Sequence, residues 1–187
     1  METFYGKLGA GIDLGDAVFL RPLLPQDINE NYVGWFRDER VTHFLEAKNI
    51  SNSQALMHLV DGFVRDAWYM YAIIDRIRGL HIGNIKIGPI NRKHQTADIS
   101  IFIGDVESWG KGFATLAVSL GTRIAFEQLG LRKLHAGVIG GNNGSTRAFE
   151  KAGWRLEAEL PSDLLHEGKA KSRILLGILN TTPLVSR

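Results

Sequence analysis

Two glycines separated by one residue, Gly110 and Gly112, are the residues in this chain best placed to hold a ligand. They lie in the segment 108–115 (SWGKGFAT), directly before apolar residues at helical spacing. A helix that begins here leaves about four backbone N–H groups unpaired and carries roughly half a positive charge at its N-terminus. Glycine also lets the backbone turn tightly and approach a ligand. The segment therefore predicts a phosphate site, although a plain turn before a core helix explains these eight residues equally well.

Two common nucleotide-binding motifs do not match this turn. A P-loop requires GxxxxGK followed by Ser or Thr, but Gly104 lies one residue too far away and Gly112 stands where the hydroxyl should be. A Rossmann turn requires a third small residue where this chain has Thr115. It also follows a parallel strand unit, whereas the strands before this turn are predicted to form an antiparallel meander. The first motif is excluded and the second is disfavoured.

The composition predicts one globular domain over 17–180, with a leader at 1–16 and a tail at 181–187, since 187 residues with 44% hydrophobic content can form one core. A net charge of +2 without charge blocks does not indicate a nucleic-acid partner. The absence of cysteine excludes disulfides, thiolate metal sites and a cysteine nucleophile. The histidines show no metal-ligand spacing, so no metal is predicted. No membrane segment or signal peptide is recognisable, and we expect a cytoplasmic monomer or homodimer.

Hydrophobic periodicity predicts an α/β domain with a mixed sheet. The predicted strands are 17–23, 68–75, 81–90, 96–104, 134–139, 154–160 and 172–179, with a polar loop over 161–171. The predicted helices are three short ones within 26–67, a long one over 116–129 that ends at Gly130, and a short one over 145–152 that Ser145 caps. The strand after the long helix is expected to run parallel to the strand before it.

The flanks of the glycine turn carry a family resemblance. A strand, the turn, a long helix and a strand precede Asn142-x-x-Ser145 and the run 149–154 (FEKAGW), and an early WF-x-D-x-x-V segment begins at Trp35. Over 17–179 this pattern resembles the GNAT superfamily of acetyl-CoA-dependent N-acetyltransferases, most closely the branch of ribosomal-protein N-terminal (RimJ/RimL-like) acetyltransferases. The resemblance implies a single GNAT-type domain with a mixed central sheet of about six to seven strands, namely an antiparallel meander and a splayed central parallel pair, flanked by helices.

The resemblance also implies the reaction and its donor. Acetyl-CoA would give its acetyl group to a primary amine, which is a protein N-terminal α-amine, an amino sugar or another small amine, by direct attack in a ternary complex. The residues implied to bind the donor are Ile101, Phe102, Ile103, Trp109, Gly110, Lys111, Gly112, Phe113, Ala114, Thr115, Asn142, Arg147 and Phe149, with Lys151 as a further candidate for the adenosine phosphates.

Catalytic residues are less sharply defined. Many GNAT enzymes carry a tyrosine acid where this chain has Phe149, so Ser145 or a water is expected to stabilise the departing thiolate. A general base for the amine is expected among four residues that the sequence does not rank: Asp98, Glu46, Asp163 and His166. Asn84 is a further candidate for substrate contact. The alternative hypothesis is a catalytically inactive acyl-CoA-binding module, which the missing tyrosine favours.

Overall fold

A seven-stranded sheet organises the described part of the chain, residues 11–13 and 17–181 of a computed structural model. The strand order is β1-β2-β3-β4-β5-β7-β6, and every neighbouring pair is antiparallel except the parallel pair β4–β5. The strands are β1 (Val18–Pro22), β2 (Tyr69–Asp75), β3 (Leu80–Asn91), β4 (Thr96–Ile103), β5 (Lys133–Ile139), β6 (Arg155–His166) and β7 (Lys169–Leu179). The predicted α/β class, the meander and the parallel pair are confirmed.

The helices lie in two layers, one on each face of this sheet. They are α1 (Glu30–Trp35), α2 (Glu39–Thr42), α3 (Asn52–Val64), α4 (Phe113–Arg123) and α5 (Asn143–Lys151), and a π-helical turn, Ile124–Gln128, extends α4. Side chains cap the early helices: Ser51 accepts the N–H of Gln54 at the start of α3, and Gln54 accepts the N–H of Ser51 in return. Gly130 follows the π turn with φ +65°, a conformation that suits glycine.

Two apolar clusters fill the space between the sheet and these layers. The larger cluster joins α4 and α5 to one face through residues such as Ile85, Leu120 and Leu134. The smaller cluster joins α1 and α3 to the opposite face at the meander, through Met70 and Ala72. Strands β4 and β5 lie in the middle of the sheet, so their side chains reach both layers.

The predicted loop over 161–171 is wrong. Strands β6 and β7 continue through it as a long hairpin that turns at Glu167 and Gly168, both with positive φ. This ribbon is exposed on both faces for much of its length, so its sequence lacks the apolar alternation by which a strand is recognised. The pairing therefore became visible only in the structure.

The predicted leader and tail lie outside the described residues, apart from 11–13 and 181. Within the first of these ranges Ile12 is 8% exposed, joins the larger core cluster and forms a bridge with Leu20 of β1. At least this residue of the predicted loose leader therefore packs on the domain.

Candidate active site

A V-shaped opening divides the middle of the sheet. The parallel pairing of β4 with β5 stops after three residue pairs, of which the last is Asp98 with His135. Strand β4 goes on beside β3 as far as Ile103, and β5 goes on beside β7 as far as Ile139. The facing edges of the two strands beyond Asp98 are therefore not paired with each other, which leaves room for a ligand to bind backbone groups along them. The predicted splay is confirmed, and Ile101, Phe102 and Ile103 lie along it, each half-buried.

The glycine turn stands at the wide end of this opening. Gly110 and Gly112 have φ of +74° and +79°, and Gly112 is the N-cap of α4 without any side-chain cap. A Cβ atom built on either glycine meets nothing within 4 Å, so open space adjoins the first N–H groups of the helix. The Trp109 indole donates a 2.9 Å hydrogen bond to the Ile103 carbonyl and ties the turn to the end of β4. The turn thus presents an open helix N-terminus, as an anion site requires, and its role as a phosphate site stays a prediction.

Arg78, from the β2–β3 hairpin, holds this turn in position, and the sequence did not single it out. Its guanidinium lies 2.6 Å from Asp75 and 2.7 Å from Asp105, and it donates a further hydrogen bond to Ser108. Burial by itself would raise the pKa of Asp75, but the hydrogen bonds from Arg78 and from the N–H of Ile77 hold that pKa below its usual value. The pKa of Asp105 is lowered in the same way, against burial, by Ser108 and Arg78. Arg78 is therefore a positioning residue.

A second helix N-terminus faces the opening from the β5 side. Because β4 and β5 are parallel and each is followed by a helix, α4 and α5 begin at the same end of the sheet. Asn142 caps α5, and its side chain accepts the N–H of Ser145 at 3.1 Å. The expectation that Ser145 caps this helix is wrong, because α5 begins two residues earlier than predicted. The Ser145 hydroxyl is half-buried and makes no hydrogen bond within the described residues.

The remaining residues predicted to bind the donor fall into three groups. Lys111, Arg147 and Lys151 are exposed cations on the turn and on α5, while Ala114 and Thr115 are half-buried in the first turn of α4 and Phe113 is buried. Phe149 differs from all of these. Its ring is 2% exposed and packs edge-on against Trp154 at 4.8 Å, within the core shared by α4 and α5. Its role as a contact for the donor stays a prediction.

A band of polar side chains lies beside the opening, on the face of the sheet opposite α4 and α5. Lys86 of β3 pairs in register with Ser100 of β4, two residues beyond Asp98 on the same face. Burial lowers the pKa of Lys86, and the charges of Asp98 and Glu46 oppose that shift. Burial raises the pKa of Asp98, against the attraction of His135, Lys86 and Arg173. Two predicted bases, Asp98 and Glu46, therefore flank a partly buried lysine that the sequence analysis missed.

A recess of about 220 Å³ adjoins this polar band at the end of β5. The α2–α3 loop forms one wall and the β6–β7 hairpin the other, and its lining residues are Leu45, Glu46, Lys48, Ile139, Leu164, Leu165, His166 and Glu167. Of the other predicted residues, Asp163 forms an ion pair with Arg173 at 2.8 Å. Asn84 is buried, and its Oδ1 atom accepts a hydrogen bond from Nε2 of His81 at 2.6 Å. Asn84 therefore lies in the packed layer under α1.

Comparison with known proteins decides what this arrangement is. Residues 17–155 match the family model described as Acetyltransferase (GNAT) domain. The chain belongs to the GNAT acetyltransferase family. It is 29% identical over 177 residues to the "Probable N-acetyltransferase YjcK" of Bacillus subtilis, a match that covers 89% of this chain and 96% of the relative. This GNAT protein is accordingly an acyltransferase, an acetyl-CoA-dependent N-acetyltransferase.

Solved structures share the fold at lower identity. The ribosomal-protein-S5-alanine acetyltransferase of Vibrio fischeri superimposes with a TM-score of 0.80 at 18% identity, covering 93% of this chain and 98% of that one. The spermidine N-acetyltransferase of Vibrio cholerae, in complex with CoA and spermine, gives 0.78 at 21% identity, with 87% and 95% covered. The splay, the open glycine turn and the two helix N-termini in this GNAT domain fit a coenzyme A thioester. Within the described residues, no helix is long and apolar enough to cross a membrane.

Proposed function

We propose that this enzyme acetylates the α-amine of a peptide or protein N-terminus, or another small monoamine, by direct attack of the amine in a ternary complex. One observation carries the proposal. The opening between β4 and β5 has the glycine turn, with its uncapped helix N-terminus, at its wide end, and the polar band with Asp98 lies on the sheet face beside it. Donor and acceptor can therefore approach the same point from different sides.

Acetyl-CoA supplies a thioester carbonyl when it is bound. The N–H groups at residues 110–115 would hold its pyrophosphate, and the free edge of β4 would orient the thioester. The transfer forms a C–N bond, breaks the C–S bond and requires one proton to leave the amine. Asp98 lies where the strands part, and burial raises the pKa of its carboxyl, which makes it a better proton acceptor than an ordinary aspartate. We assign Asp98 as the general base, with Glu46 as the alternative.

The charges beside the opening favour a monoamine over a polyamine. Asp163 is already paired with Arg173, and Asp98 faces Lys86, His135 and the same arginine. A polyamine carries several positive charges and requires several unpaired carboxylates. An α-amine has one charge and a pKa near 8, so a larger fraction of it is neutral at pH 7.5 than of an alkylamine with a pKa near 10.4.

An acceptor screen by thiol release tests the proposal. The chain contains no cysteine, so a thiol reagent reports only the coenzyme A that is set free. We expect turnover with short peptides that have a free N-terminus, and a kcat/KM at least about tenfold higher than with spermidine. Peptides with a blocked N-terminus serve as the matched control and should not react.

Three outcomes contradict parts of this proposal. A preference for spermidine over every peptide would refute the monoamine assignment, although the GNAT chemistry would stand. Tight acetyl-CoA binding without transfer to any amine would favour the inactive binding module. Parallel initial-rate lines would refute the ternary complex, for which intersecting lines are expected because the chain offers no cysteine to carry the acetyl group.

A further inference from the structure

Three side chains that could ligate a metal ion meet at the edge of the recess. His43 follows α2, whereas His166 ends β6 and Glu167 begins the turn of the β6–β7 hairpin. One ring nitrogen of each histidine and a carboxylate oxygen of Glu167 all lie within 4.8 Å of one another. The two segments are far apart in the sequence, which is why histidine spacing predicted no metal. Only the continued β6–β7 hairpin brings them together.

The spacing of these atoms suits a tetrahedral ion. Zinc binds histidine nitrogen and carboxylate oxygen at about 2.0–2.2 Å, so two ligands of a tetrahedral site lie about 3.3–3.5 Å apart. The Nδ1 atom of His43 and the Oε1 atom of Glu167 are separated by 3.3 Å. The third ligand requires only a small closure from the observed limit of 4.8 Å. Glu167 and His43 are both exposed, and side chains at such positions can rotate at little cost.

Neighbouring groups orient the two imidazole rings. The rings of His43 and His166 lie 5.1 Å apart at 81°, and Phe44 contacts both, edge-on to His43 at 4.4 Å and stacked on His166 at 5.4 Å. An apolar wall of this kind limits access of water to a metal and restricts ring motion. The Nε2 atom of His166 is buried and has no hydrogen-bond partner among the described residues, a situation that costs free energy unless a ligand satisfies the ring.

We propose that His43, His166 and Glu167 form a binding site for a divalent transition-metal ion of the zinc class, with a fourth position open to water. Two imidazoles and one carboxylate are a donor set that zinc prefers, whereas magnesium and calcium prefer oxygen ligands alone. A bound ion would clip the β6–β7 hairpin to the α2–α3 loop across the recess that Leu45 and Leu164 line. The ion is thus a structural brace of one recess wall against the other. The inference does not depend on the identity of the acceptor.

Zinc binding to the full-length chain tests this site directly. The protein is purified without a histidine tag, stripped with a chelator and titrated with Zn²⁺ at pH 7.5 against a chromogenic chelator. The absence of cysteine removes both thiolate competition and the need for reductants. We expect one saturable site per chain, a melting temperature that rises with Zn²⁺ concentration, and a Co²⁺ form with the strong visible absorption of tetrahedral coordination.

Single variants assign the ligands. We expect His43→Asn and Glu167→Gln each to weaken Zn²⁺ binding by at least about tenfold and to abolish the thermal shift. The matched control is His94→Asn, which changes an exposed histidine in the β3–β4 turn and should bind like the parent chain. The melting temperatures of the metal-free variants, which we expect to equal that of the parent, verify that they fold.

Two results would overturn the proposal. One is the absence of saturable Zn²⁺ binding to the parent chain. The other is binding that His43→Asn and Glu167→Gln leave unchanged, or that His94→Asn weakens as much as they do, because the ion would then lie elsewhere. Zn²⁺ binding and the thermal shift are both measured without acetyl transfer. Failure of the metal site would therefore leave the proposed acceptor untouched, and failure of the proposed acceptor would leave the metal site untouched.

Discussion

The substitution Gly112→Ala separates the proposed anion-binding role of the turn from its structural role. Gly112 has φ +79°, a left-handed conformation that costs a residue with a Cβ atom about 1–2 kcal/mol. The new methyl group itself meets no atom within 4 Å. Backbone strain is therefore the only expected cause of lost stability, and it should lower the melting temperature by about 2–8 °C for a chain of this length.

The effect on donor binding should be larger. The methyl group would occupy the open space beside the first N–H groups of α4, where we place the pyrophosphate. Loss of one charge-assisted hydrogen bond, worth about 1.5–3 kcal/mol, weakens binding by about 10- to 150-fold. Titration calorimetry with coenzyme A measures the dissociation constant, and the thiol-release assay gives the KM for acetyl-CoA.

Gly130→Ala is the matched control. Gly130 has φ +65°, its Cβ position is equally open, and it lies beyond the other end of the same helix. The two variants should lose similar stability, but only Gly112→Ala should lose affinity for coenzyme A. Equal affinities in the two variants would refute the assignment of the turn as the pyrophosphate site.

Three further predictions concern the residues around the opening. Arg78→Ala should lower the free energy of unfolding by about 1–3 kcal/mol in urea titrations, because the buried Asp75 carboxylate loses its charged partner. The folded-state pKa of Asp75 lies below its unfolded value, so the contribution of Asp75 to stability is present above about pH 4 and is lost as the pH falls through the folded pKa. Acid unfolding should therefore be steeper in the parent than in Arg78→Ala. Asp98→Asn should lower kcat by about 100-fold and remove the acidic limb of the pH–rate profile, whereas Glu127→Gln, on the α4 side of the sheet, should change neither. Lys86→Met should raise kcat/KM for spermidine relative to a peptide in the thiol-release assay, because it removes a cation next to Asp98.

Each of these predictions can fail in a specific way. Acid unfolding of equal steepness in the parent and in Arg78→Ala would show that the arginine contributes little to the ionisation of Asp75. A pH–rate profile that Asp98→Asn leaves intact would move the role of general base to Glu46. An unchanged preference between spermidine and peptide in Lys86→Met would show that this lysine does not select the acceptor.

Local pattern was sufficient for most of the fold. The alternation of isoleucines at Ile99 and Ile101 predicted a strand, and the glycine turn before Phe113 predicted a helix start, because both patterns depend on neighbours within a few residues. The β6–β7 hairpin escaped prediction, since a ribbon exposed on both faces has no apolar alternation. Ser145 was mistaken for a cap because Asn142, three residues earlier, has an equally suitable side chain.

The same distinction between local patterns and long-range contacts applies to the candidate site. The glycine turn was readable because a phosphate is bound by consecutive N–H groups, which one short segment supplies. The other contacts bring together residues from different elements. Arg78 lies beside Asp105, Lys86 lies near Asp98, and His43 lies beside Glu167. Such contacts depend on strand order and register, and no local pattern records these.

The sequence by itself indicated the donor, and only the tertiary structure brought together the side chains that we assign to the acceptor. The donor recognition that we propose rests on backbone conformation, which Gly110 and Gly112 dictate through their positive φ wherever the turn is placed. The proposed acceptor recognition rests on the charge and burial of side chains that the sheet brings together. Asp98 and Lys86 acquire their shifted pKa values only once the folded chain partly shields them from water.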